Sequence, residues 1–297
     1  MPSAANASRR AKSGGAARAS SERAMFWQSN RRNTVFMKDA NAADHMFVVP
    51  AYGRSPFLSG CLASLRNQTR SSRILITTST PDEEIEEAAE RFAVPIIVNP
   101  DRRGIGADWN FALAQAGGAR FVTLAHQDDT YEPEFLEETL GAFSLGPAAL
   151  AFTGYQEIDD EGRPISSKIS RVKHLVEAVT LGKVGRASGL RLQAFLALGN
   201  PLPCSSVTLD RSRLADFQFS EVLKSNLDWD AWWRLTTAGE TFARSPRRMV
   251  GRRHNPQTET SRLIQDGTRG REDLMMFRRI WPKPVGDIVA WVYRAGY

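Results

Sequence analysis

Cysteine is nearly absent. Cys61 and Cys204 are the only two in 297 residues, far apart and without CxxC spacing. That excludes a disulfide framework and a cysteine zinc site, and makes a reducing cytoplasm the simplest compartment. No window approaches the roughly eighteen consecutive apolar residues that a membrane span needs. A glycine-rich phosphate loop of the P-loop type is missing, as are internal repeats and the apolar core of a secretory signal.

Positive charge is scarce in the body of the chain. The formal charge is +6 and the pI near 9.6. Residues 1–45 nevertheless hold eight Lys/Arg against three Asp/Glu, residues 46–243 hold 19 against 25, and residues 244–297 hold 12 against 5. The body is therefore acidic and the ends are basic. Basic ends without an interleaved basic and aromatic module argue against nucleic acid; they suit a phosphate-bearing ligand or an anionic membrane surface.

What is present divides into three parts. Residues 1–45 are rich in Ala, Ser, Arg, Asn and Gly without a hydrophobic period, and read as a disordered basic tail or an over-extended translation start, with Met25, Met37 and Met46 as internal starts. The chain is 42% hydrophobic, enough for a sizeable core, which residues 46–261 would form, with a first half over about 46–153 and a second over about 154–261. Residues 262–297 form a basic helical C-terminal arm.

From Met46 the pattern is regular. MFVVPAY, RILITTS, VPIIVN and RFVTLA are short apolar runs of buried-strand type; FLSGCLASLRNQ, PDEEIEEAAERF and DWNFALAQAGG between them have helical spacing. Alternation of this kind predicts an α/β fold with a mostly parallel sheet flanked by helices. Ligands in such sheets bind beyond the carboxyl ends of the strands, where Pro50, Ala51, Tyr52, Thr78, Ser79, Asn99, Asp128 and Asp129 fall. Further along, PEFLEETLGAF and residues 190–197 read as helices, ALAFTGYQEI and SSVTLDRS as strands, and LDWDAWWRLTTAG as a helix ending at Gly239. Within residues 166–200 the rest of the pattern is irregular, with a linker around Gly182 and Gly185, and the segment after Gly239 reads as a basic arm.

Adjacent carboxylates in LAHQDDTYEP have two explanations: a turn with a helix cap, or an oxygen-rich site for Mg²⁺ or Mn²⁺. Such ions take one or two protein carboxylates and complete their shell with water and phosphate.

The order of VVPAYGR, CLASLRNQT, NPDRRGIGADWNFALAQA and the acidic strand end resembles the family-two inverting glycosyltransferases, whose fold is the glycosyltransferase A-type, Rossmann-like sheet with a mixed acceptor-side portion. The resemblance runs from about Phe47 to Asp160, with weaker matches to about Ser261. It implies a hexosyltransferase-like enzyme that moves a sugar from a nucleotide-diphosphate donor to a saccharide or lipid-linked hydroxyl. Surface polysaccharide or glycolipid synthesis is the family-level association. Donor contacts would come from Pro50, Ala51, Tyr52, Thr78, Ser79, Gly104, Asn110, His126 and Asp129; Mn²⁺ or Mg²⁺ would be held by Asp128, Asp129 and His254. Two departures stand out: ITTST lacks the acid that commonly follows the second strand, and His126 opens what is usually Asp-x-Asp.

An inverting transfer needs a base for the acceptor hydroxyl. NLDWDAWWRL resembles the family's acidic segment and implies Asp228 as that base with Asp230 in support; Leu227 stands where a Glu is usual. The same string is explained by an aspartate capping an amphipathic helix, and Trp229, Trp232 and Trp233 suit a core at least as well as a sugar platform. GRRHNPQTETS adds Arg252, Arg253 and Thr258 as phosphate donors beside His254. A noncatalytic nucleotide-sugar or carbohydrate-binding protein of the same fold is the alternative. The expected location is cytoplasmic, with a peripheral position at the inner membrane face as a further expectation.

Overall fold

The computed structural model describes residues 44–254 and 259–294, all within one compact unit. Residues 1–43, most of the N-terminal tail, lie outside the described residues, as does Thr258.

The first strand, β1 (His45–Ala51), starts one residue before Met46. His45 is buried, with Nδ1 2.7 Å from Ser72 Oγ and Nε2 3.0 Å from Thr123 Oγ1, which ties β1 to both neighbouring strands. Burial first, then Arg70 and Arg73, pulls its pKa down to about 3. The folded chain therefore refuses a proton that the unfolded chain accepts, so stability is complete above the ordinary histidine range and falls as pH drops below about 6.5, by up to about 1.4 kcal/mol per pH unit. Thermal melts from pH 7 to pH 4 should show this slope flattened in His45→Gln; an equal slope in both proteins refutes it.

The apolar runs form the expected strands and helices. After β1 come α1 (Leu58–Arg66), β2 (Arg73–Thr78), α2 (Glu83–Arg91), β3 (Ile96–Val98), α3 (Ile105–Gln115) and β4 (Phe121–Leu124). In α1, Leu58, Cys61, Leu62 and Leu65 share the buried face. In α2, the Asp82 carboxylate accepts from the Glu84 N–H, and Glu83, Glu84 and Glu86 occupy the positive end of the helix dipole. The strand order β3-β2-β1-β4 is parallel throughout. The chain runs outward from β1 to β3 and returns on the far side of β1. That reversal opens a crevice between the ends of β1 and β4.

The second half extends the sheet as β4-β8-β6-β9-β5, with β7 also pairing β9. Its elements are β5 (Thr130–Tyr131), α4 (Phe135–Phe143), β6 (Leu150–Ile158), α5 (Lys168–Thr180), β7 (Arg186–Ala187), α6 (Gly189–Leu196), β8 (Val207–Asp210), α7 (Leu227–Thr237), β9 (Phe242–Arg253), α8 (Glu259–Gln265), α9 (Thr268–Ile280) and α10 (Lys283–Arg294). β8 is antiparallel to β4 and β6, and β6 is parallel to β9, giving the mixed portion.

Lys168–Thr180, ahead of the expected linker around Gly182 and Gly185, forms α5, whose N-cap Ser167 accepts from the Ser170 N–H at 3.0 Å. Two expectations are corrected. The basic arm after Gly239 begins as a twelve-residue strand, β9. Its middle residues Pro246, Arg247 and Arg248 are exposed and its pairing to β6 is irregular around Gly154, so no alternation marks it in the sequence. The C-terminal helices, expected as an arm, pack on the core: Met276 and Phe277 of α9 and Ala290 of α10 are buried with Trp229, and Arg279 pairs with Asp230 at 2.5 Å.

Candidate active site

A reciprocal amide clasp joins the chain just past β1 to the chain just past β4. The Tyr52 N–H donates to Gln127 Oε1 at 3.1 Å, and Gln127 Nε2 donates to the Tyr52 carbonyl at 3.0 Å. Pro50 and Ala51 end β1 beside Thr77 and Thr78, and the Tyr52 ring is left 62% exposed at the rim. At the end of β2, Thr78 Oγ1 accepts from the Thr80 N–H, while Ser79 and Asn99, both buried, donate to the two oxygens of Asp108 at 2.9 Å each. Asp108 thus brings a carboxylate from α3 to the rim where ITTST has none. Gly104 caps α3 at φ +108°, a conformation that favours glycine.

The carboxylate pair is held by two different elements. Ser55 Oγ donates to Asp128 Oδ1 at 2.6 Å, and burial raises the pKa of Asp128, with the neighbouring Asp129 charge adding to it. Asp129 is buried and accepts the Arg253 backbone N–H at 2.9 Å. The Arg253 guanidinium donates to the carbonyls of Asp128 and Asp159 and lies 4.2 Å over the Phe57 ring. This latch exists because β5 follows Asp129 immediately and pairs Thr130 with Gly251, which brings the end of β9 alongside. His126 stacks near Trp109 at 5.2 Å between ring centres, and its Nε2 is buried without a partner. Burial pulls its pKa down against the opposing pull of Asp129, Asp228 and Asp128, leaving a neutral imidazole among three acids.

Asp228 stands in the first turn of α7, where its Oδ1 accepts the Trp229 N–H at 2.8 Å. Burial raises its pKa, opposed by that bond and by Arg269, Arg252 and Lys173. Those three cations come from α9, β9 and α5. Arg269 also donates to Ser225 Oγ at 3.0 Å, just ahead of α7, and Arg252 lies 3.8 Å from buried Glu157, its partner in the β6–β9 register. Burial and the two arginines pull the Lys173 pKa down to about 7.

Several anticipated roles change. Asn110 spends its amide on the backbone of Phe219, donating to the carbonyl at 3.0 Å and accepting the N–H at 2.8 Å, and Ser79 spends its hydroxyl on Asp108, so both tie the rim together. Asp230 pairs with Arg234 at 2.8 Å and with Arg279, joining α7 to α9. Trp229 and Trp232 are core residues whose indole N–H groups donate to the carbonyls of Leu196 and Leu202. His254 is exposed; its backbone N–H donates to Ile158. Among the described residues no three His, Cys, Asp or Glu side chains are gathered as a metal-holding group, so Asp128, Asp129 and His254 do not form a closed triad. An ion completed by substrate phosphate fits better: Mg²⁺ and Mn²⁺ need only one or two carboxylates, and the orphaned His126 Nε2 lies in the electrostatic field of both Asp128 and Asp129. Gln127, Ser55, Asp108, Lys173, Arg269 and Glu157 carried no signal in the sequence, since each gains meaning only from a partner on another element.

The profile of Glycosyl transferase family 2 matches residues 46–198, just over half the chain. The putative glycosyltransferase EpsH of Bacillus subtilis (strain 168) is 27% identical over 151 residues, 46% of this chain and 43% of that protein, so the chain spans less than half the length of that relative. The putative teichuronic acid biosynthesis glycosyltransferase TuaG of the same organism is 24% identical over 203 residues, 65% of this chain and 72% of that protein. Among solved structures, mannosyltransferase PcManGT from Pyrobaculum calidifontis in complex with GDP-Man and Mn²⁺ superposes with a TM-score of 0.60 at 14% identity, covering 91% of this chain and 76% of that one; this likeness supports the fold. The ordered strand-end motifs, the reversal at β1 and the match over residues 46–198 lead to one assignment: the chain belongs to Glycosyl transferase family 2.

Proposed function

We propose that this protein transfers a sugar from a nucleotide-diphosphate donor to a hydroxyl acceptor with inversion at the anomeric carbon. The observation that carries the reading is the carboxylate pair at the sheet's switch point, where Ser55 holds Asp128 and the Arg253 backbone N–H at the end of β9 holds Asp129. Asp228 takes the acceptor O–H proton as that oxygen attacks the anomeric carbon. The bond from that carbon to the diphosphate oxygen breaks on the opposite face, and its electron pair leaves with the nucleoside diphosphate. Asp128 would hold a Mn²⁺ or Mg²⁺, and such an ion would supply positive charge for the departing diphosphate. Asp129 keeps the end of β9 in place through the Arg253 N–H, which presents Arg252 toward the anion. Tyr52 and the Gln127 clasp form the wall at the donor rim.

Two titrations shape the rate. Asp228 works only when ionised, so kcat/KM rises with pH through its raised pKa. Lys173 supports an anion only when protonated, so that support is lost as pH rises through about 7. A bell-shaped profile is expected, and Lys173→Arg should move its alkaline limb up by at least about one pH unit, because arginine stays protonated. An unmoved limb refutes the role of Lys173.

The acceptor proposed is a saccharide or lipid-linked hydroxyl in polysaccharide synthesis, for which the name of TuaG is the support, and the enzyme is placed in the cytoplasm at the inner membrane face. No helix among the described residues is long and apolar enough to cross a membrane. The second reading, binding without turnover, draws on Leu227, which is buried in the core where the family usually has an acid. Mn²⁺-dependent release of nucleoside diphosphate by the full chain, across a panel of donors and acceptors, separates the two; saturable donor binding with no release favours the second.

A further inference from the structure

The last helix, α10, is apolar on two sides. One side is spent inward: Gly286 and Ala290 are buried, and Tyr293 lies 5.3 Å from the Phe277 ring and 6.4 Å from Trp229. A side chain at Gly286 would meet the backbone of Phe277 at 2.8 Å, so α10 seats against α9 backbone to backbone and its orientation is set. The other side is turned out. Val285, Ile288, Trp291 and Val292 are 40%, 63%, 74% and 58% exposed, spaced along one stripe at helical intervals.

Charge borders this stripe on one edge. Lys283 and Arg294 are exposed there, and the one acid of the helix, Asp287, is neutralised by Arg278 at 2.5 Å. The edge is therefore cationic. A stripe on a twelve-residue helix about 18 Å long offers less than the roughly 800 Å² per partner of a stable dimer. An exposed tryptophan beside aliphatic side chains with a cationic margin matches the chemistry of an interfacial helix lying in the plane of a bilayer.

We propose that α10 is a membrane-surface element, whose Val285, Ile288, Trp291 and Val292 enter the boundary of an anionic lipid bilayer while Lys283 and Arg294 meet its headgroups. The proposal deepens the membrane-face placement proposed above by naming the element that makes the contact, and its vesicle test reads independently of glycosyl transfer. Charge brings the protein to the surface, and the apolar stripe holds it there when salt has screened the charge.

The test is co-sedimentation of the full chain with vesicles of phosphatidylcholine alone or mixed with phosphatidylglycerol, at about 0.15 M and about 1 M salt, where the screening length falls from about 8 to about 3 Å. Wild type is expected to bind the mixed vesicles at the lower salt and to keep a fraction bound at the higher. Ile288→Ser with Trp291→Ser should weaken partition at least about tenfold at both salts, with an unchanged melting temperature and unchanged binding of nucleotide sugar. Lys283→Gln with Arg294→Gln should weaken it at the lower salt only. Equal binding by wild type and the Ile288/Trp291 variant overturns the proposal, as does failure of wild type to bind either vesicle. Light scattering that shows a dimer dissolved by the same two serines also overturns it, assigning the stripe to a second copy of the chain.

Discussion

Asp228→Asn should lower kcat by about 10²–10⁴, the usual worth of a positioned general base, and leave nucleotide-sugar affinity nearly intact. The amide is isosteric and its oxygen can still accept the Trp229 N–H that the carboxylate accepts at 2.8 Å, so the first turn of α7 is preserved. What it cannot do is take the acceptor's proton. Its removal also strips one negative charge from the field of Arg252, Arg269 and Lys173, which favours bound anion and works against any loss of donor affinity. A fall in kcat with an unchanged donor dissociation constant separates this from misfolding, which lowers turnover and weakens donor binding together. Full turnover in the variant would remove Asp228 from the chemistry.

The second large effect concerns Asp128. Asp128→Asn keeps an oxygen for Ser55, whose hydroxyl donates to Oδ1 at 2.6 Å, but loses the charge that would hold an ion against the diphosphate. Turnover should fall by about 10²–10³, the scale of losing one preorganised electrostatic contact in a shielded site. Donor diphosphate affinity should drop with it, while affinity for the bare nucleoside stays the same. Removing divalent metal with EDTA should reproduce the loss in wild type and add little in the variant. EDTA-sensitive turnover that persists in Asp128→Asn would move the metal elsewhere.

The sequence made part of this arrangement legible and hid part of it. β1 to β4 and the helices between them were readable because each strand is a short continuous apolar run and each helix carries its own local markers, such as Asp82 capping α2 and the buried stripe of α1. The positions of Asp128 and Asp228 followed from motif order. β9 was not readable: its outer residues are Pro246, Arg247 and Arg248, and what makes them a strand is the pairing with β6 on one side and with β5 and β7 on the other. The latch at that strand end is hidden for the same reason: the Arg253 backbone N–H meets Asp129 only through the pairing of β5 with β9.

By itself, then, the sequence determined the α/β alternation, the strand ends that form the rim and the acids on them, because strand burial, helix period and cap chemistry are local properties written in neighbouring residues. Only the tertiary structure decided which of those groups meet. The clasp of Gln127 on Tyr52, the bond from Ser55 to Asp128, the crowding of Lys173 and the orphaned His126 nitrogen depend on elements distant in the chain but adjacent in space. Desolvation, which raises Asp228 and lowers Lys173 and His126, is set by everything packed around a side chain rather than by the residues beside it.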